Sequence, residues 1–183
     1  EMMGMLERPS TQPGPSLGSW WGKEKGARLT DPAELRIGEL KPMLTPLAMS
    51  GFAPGILAEM REELLPFGLL PVQGGGGTDP SLPSGAFEPG AALGVQLIRG
   101  DFSMTAIGTL THREGDRVVG FGHPMLFGGS TELPMTAAYI HQVIPSQFYS
   151  FKVGTASRPM GAIVQDRAPG IVGVLGSRTQ MIP

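Results

Sequence analysis

Between Leu93 and Gly176 the chain is cut into seven short runs, and their spacing restricts the fold more than any other feature. The runs are LGVQLI (93–98), SMTAIGTLT (103–111), RVVGFG (117–122), TAAYIHQVI (136–144), FYSFKVG (148–154), MGAIVQD (160–166) and GIVGVLG (170–176). Each is rich in Val, Ile, Thr or aromatic residues, which suit a pleated, half-buried surface. Turn residues separate them, and Glu114-Gly115-Asp116 within REGDR reads as a hairpin connection. Strands so closely spaced leave no room for crossover helices, so a barrel or sandwich is expected here and not a βαβ sheet. Gly108, Gly120, Gly122 and Gly173 lie inside the runs, where a small closed barrel needs bends and bulges.

Upstream, GFAPGILAEMREELLPFG (51–68) predicts one helix, with Pro54 at its first position and Pro66 at its end. Ile56, Leu57, Met60, Leu64 and Leu65 fall on one face, opposite Glu59, Arg61, Glu62 and Glu63, so the helix is expected to dock on an apolar surface. Four segments follow. Residues 1–32 form the tail of a preceding segment and a Pro/Gly-rich linker, including the Trp20-Trp21 pair; residues 33–72 hold the helix. Residues 73–90 are a flexible Gly/Pro-rich loop, and residues 91–183 are the β-barrel segment. The glycine run Gly74–Gly77 has neither the lysine nor the following helix of a phosphate cradle.

Composition narrows the function classes. A formal net charge of −2 with 16% charged residues gives no electrostatic grip on nucleic acid or anionic membrane. Without cysteine there is neither a disulfide nor a thiolate metal site. No apolar run approaches the ~18 residues of a membrane span. The 28 glycines and 18 prolines imply many turns, while 40% hydrophobic residues are enough for a packed core. Opening in EMMGMLERPS and closing in RTQMIP, the chain reads as a fragment.

Among three histidines, His123 stands apart in GFGHPMLFGG (120–129). Gly122 allows close backbone approach and Pro124 fixes φ beyond it, so the direction in which the ring leaves the chain is well determined. A metal ligand, a structural histidine bonding a turn carbonyl and a general base are the three readings. No second ligand sits at metal spacing, whereas imidazole titrates near neutrality and suits proton transfer. His112 lies beside the hairpin turn, where it is solvated, and His141 alternates with apolar residues on a half-buried face.

GVQLIRGDFSMTAIGTLTHREGDRVVGFGHPM (94–125) resembles the SpoIVB-type serine peptidase family, in which two strands and a hairpin lead to a Gly-His pair. GAIVQDRAPGIVGVLG (161–176) is similar to that family's later segment, so the likeness covers roughly residues 93–176. LKPMLTPLAMSGFAPGILAEM (40–60) looks like the middle of long bacterial proteins carrying this domain. The resemblance implies one half of a chymotrypsin-like double barrel, a peptide or protein substrate, no cofactor and no metal. It implies an exported or envelope-associated bacterial protein, with His123 in the catalytic position. The family's Gly-Met-Ser-Gly-Ser-Pro type loop is missing. Ser130 lies only seven residues from His123 without a matching flank, and Ser50 and Ser84 are loop or cap residues. EMMGMLER (1–8) looks like the end of a serine-bearing segment, so the serine and aspartate are expected upstream of Glu1. Asp101 and Asp166 are the local carboxylates to consider as the orienting group, each with a turn-capping alternative. The competing function is a non-catalytic β-barrel, a binding or scaffold module whose 11 methionines offer adaptable apolar contacts.

Overall fold

A computed structural model describes residues 44–74, 77–145 and 150–181. The predicted segment 1–32 lies outside the described residues. The described residues form a mainly β structure around a closed six-stranded antiparallel barrel, with one α-helix among them. In chain order the elements are β1 (Thr45–Ser50), α1 (Pro54–Leu64) with a 3-10 turn (Leu65–Phe67), β2 (Leu69–Gln73), β3 (Ala92–Ile98), β4 (Ser103–Glu114), β5 (Arg117–Gly120), β6 (Gly129–Ile144), β7 (Phe151–Arg167) and β8 (Gly170–Leu175). Around the barrel the order is β4-β3-β6-β7-β8-β5, and the β4–β5 hairpin closes the ring. Closure leaves these strands without the open edges that invite aggregation.

β4 is long enough to serve two neighbours along one side. Its C-terminal half pairs with β5 from Leu110↔Gly120 to Glu114↔Arg117, and its N-terminal half pairs with β1 from Leu47↔Ala106 to Ser50↔Ser103. β1 in turn carries β2 in parallel register, Thr45↔Leu69 to Met49↔Gln73. The described part of segment 33–72 therefore contributes two strands as well as the expected helix, and α1 is their crossover. Pro46 and Pro71 hide these strands in the sequence, since proline removes a ladder donor. Both are tolerated: Pro46 precedes the β1–β4 register and Pro71 lies on the outermost strand.

The helix begins at Pro54 and gives way before Pro66, as its sequence predicts. Its docking stripe is narrower than expected. Leu64 is buried, with Leu57 and Met60 packed on the same core, whereas Ile56 is exposed. Inside the barrel Leu93, Val95, Ala106, Leu110, Met135, Ile163 and Ile171 are fully enclosed. Burying an aliphatic side chain of this size stabilises by about 1.5–3 kcal/mol. Two glycines make the narrow interior possible: a Cβ on Gly173 would strike the Met135 sulfur, and one on Gly108 would occupy the Phe121 ring.

Residues 151–154 of the run 148–154 and the run 160–166 belong to one strand, β7, so the barrel has six strands where seven runs were counted. Pro159, which separates them in sequence, lies at a register shift opposite Thr136. Four such shifts along β6–β7 let this long hairpin bend. Beyond the barrel it lies over the outer face of β4, where Ile107, Ala138 and Ala48 form a second apolar cluster with Ile140. Lys152 Nζ donates to Thr109 Oγ1 at 2.7 Å across the same contact.

The described part of loop 73–90 is pinned to the barrel and does not hang free. The Asp79 N–H donates to the Ala156 carbonyl, Gln96 Nε2 donates to Thr78 Oγ1, and Arg113 and Arg158 donate to the carbonyls of Phe87 and Gly85. Phe87 is itself buried. The N–H and hydroxyl of Ser81 both donate to Asp79 and hold its carboxyl below the ordinary value.

Candidate functional site

Strand directions decide what can meet His123. Because all six barrel strands alternate in direction, the β3–β4, β5–β6 and β7–β8 connections share one end of the barrel. The β5–β6 connection, residues 121–128, carries His123. It begins with a sharp reversal. Phe121 has φ 70°, and the Gly122 N–H donates to the Gly120 carbonyl at 2.9 Å, a γ-turn of the rare positive-φ hand. Gly122, at φ 75°, continues the left-handed path that glycine accepts without steric cost. Phe127 is again left-handed, at φ 56°. Two phenylalanines in this region cost on the order of 1–3 kcal/mol each and persist only where surrounding structure enforces them.

Three contacts supply that enforcement. The Phe121 ring fills the space above Gly108 and lies 5.7 Å from the His123 ring, centroid to centroid. Met125, with 3% of its surface exposed, plugs the core beneath the loop. The third contact is Asp166, at the end of β7 and 2% exposed. Its Oδ1 accepts from the Met125 N–H at 2.8 Å, and its Oδ2 accepts from Leu126 at 2.6 Å and Gly128 at 3.2 Å. The β7–β8 hairpin sits close against the start of the loop, since a Cβ on Gly170 would lie 2.6 Å from the Gly120 carbonyl oxygen.

His123 itself is half-buried, and its Nδ1 lies 2.9 Å from the Pro124 carbonyl oxygen. A carbonyl can only accept, so Nδ1 carries the hydrogen and, in the neutral ring, Nε2 is left with a free lone pair. This is the nitrogen a general base uses. The turn carbonyl thus holds the ring, as the structural reading expects, and leaves the ring in the tautomer that the general-base reading requires.

The other candidates separate. Asp101 is exposed in the β3–β4 connection, at the same end of the barrel as His123. Asp166 caps backbone N–H groups, but those of a loop some 40 residues away and not those of its own turn. Among the described residues, no carboxylate hydrogen-bonds the His123 ring, and no group of three or more His, Asp or Glu could hold a metal ion. Ser50 is buried with its Oγ 2.7 Å from Ser103 Oγ; Ser84 lies in the pinned loop and Ser130 opens β6 half-buried. His112 is exposed near the β4–β5 hairpin. His141 is also exposed, with Nε2 2.8 Å from Thr155 Oγ1 and its ring edge-on to Tyr139. Among the described residues, no helix is long and apolar enough to cross a membrane. No family model, no curated protein and no solved structure matches the chain.

Proposed function

We propose that this barrel is the histidine-bearing part of a SpoIVB-like serine endopeptidase, with His123 as general base and a peptide or protein as substrate. In this reading the nucleophilic serine comes from a segment outside the 183-residue sequence. Its Oγ proton passes to Nε2 as Oγ bonds to the scissile carbonyl carbon. The same proton then goes to the leaving amine as the C–N bond breaks. The observation that carries this reading is the Nδ1 contact with Pro124, which leaves Nε2 as the acceptor.

The reading is tested with a serine-directed fluorophosphonate. The 183-residue chain alone should not label, since a base without its nucleophile has nothing to activate. A longer protein in which a serine-bearing segment precedes Glu1 should label. His123→Ala in that protein should abolish labelling and leave the fold intact. Loss of a triad member costs on the order of a millionfold in turnover. His112→Ala and His141→Ala should label normally. Equal labelling with and without His123 would refute the assignment.

A second reading has its own support. Phe127 is 67% exposed on the same loop, and Phe102, in the connection at the same barrel end, is 52% exposed. Aromatic side chains held in water suit a non-catalytic module that binds a partner through this end. Labelling that never appears, together with partner binding lost in Phe127→Ala, would favour that module.

A further inference from the structure

We infer that Asp166 is the positioning residue of His123, acting through a single peptide plane. The Pro124 carbonyl and the Met125 N–H belong to one planar trans unit, in which the two groups point to opposite sides. Asp166 Oδ1 grips the N–H at 2.8 Å, so the carbonyl is turned the other way, onto His123 Nδ1 at 2.9 Å. Two further bonds, to Leu126 and Gly128, stop the following peptide units from rotating. The carboxylate cannot drift, because Asp166 is held between Gly129 of β6 and Ile171 of β8. The path therefore runs from a barrel strand through a buried carboxylate and a peptide plane to the imidazole. Among the described residues, this carboxylate's hydrogen-bond partners are the backbone N–H groups of Met125, Leu126 and Gly128. Its catalytic consequence rests on the proton-acceptor reading of His123; the geometric claim does not.

The test uses the full 183-residue chain, labelled with 15N, at a pH where the imidazole is neutral. In the native protein the amides of Met125, Leu126 and Gly128 should exchange slowly, and His123 should carry its hydrogen on Nδ1. Asp166→Asn keeps the shape but replaces one acceptor oxygen with a donor, so one or two of the three bonds must fail. Exchange at those amides should rise by about tenfold or more. The His123 ring should shift toward the Nε2–H tautomer while the chemical shifts of Val118, Leu93 and Met135 stay in place. A folded Asp166→Asn protein in which the Met125 amide loses protection while the His123 tautomer is unchanged would overturn the inference. If that variant does not fold, the native protein still decides: protection at all three amides supports the clamp, and fast exchange at all three refutes it. These readouts need no substrate, so absent fluorophosphonate labelling would count against the peptidase and not against Asp166.

Discussion

Inside the barrel, Leu93, Val95, Leu110 and Ile163 are fully enclosed and hold one another through many small contacts. The loop after β5 instead carries two phenylalanines at positive φ and is held by the carboxylate of one aspartate. In the first region stability is distributed, so any single contact is dispensable in kind though not in magnitude. In the second, conformation depends on a few contacts, those of Phe121, Met125 and Asp166, and local strain is balanced against local hydrogen bonds. Strain concentrated in a segment that also displays an imidazole supports the proposal made above for His123.

The largest effect belongs to the core. Ile163→Ala, in a site with no solvent exposure, should lower unfolding free energy by about 2–5 kcal/mol in urea titration. The 121–128 loop should keep its amide protection in the molecules that remain folded. A loss below about 1 kcal/mol would mean that the interior is looser than its enclosure implies.

The loop should show the opposite sign. Phe127 is 67% exposed, so its removal forfeits little burial, and asparagine tolerates φ 56° far better than phenylalanine. Phe127→Asn should therefore raise stability by about 1 kcal/mol, measured by thermal unfolding. Destabilisation would show that the ring makes a contact worth more than the strain, and the contrast between the two regions would blur.

The same contrast explains what could be read from the sequence. The barrel strands were legible because Val, Ile and Thr runs alternate with turns and need no distant partner to be recognised. β1 and β2 were not, because Pro46 and Pro71 lower strand propensity, and only the β4 register starting at Leu47 and the outermost place of β2 make them tolerable. His123 could be singled out because Gly122 and Pro124 constrain its backbone on either side. Asp166 could be named, but its role could not: the donors it holds lie some 40 residues earlier, and no local spacing marks such a pairing. The left-handed Phe121 and Phe127 were hidden for a related reason. Neighbouring glycines announce a turn without saying which residue bears the strain.

The protonation pattern of the His123 ring in the native protein tests the account most directly. Long-range 1H–15N correlation at a pH above the ring's titration distinguishes the nitrogen that carries hydrogen from the one that does not. The account predicts Nδ1–H donated to the Pro124 carbonyl, with Nε2 bare and available as a proton acceptor. A ring found mainly as Nε2–H would contradict it, since the turn would then withhold from a nucleophile the nitrogen on which the proposed chemistry depends.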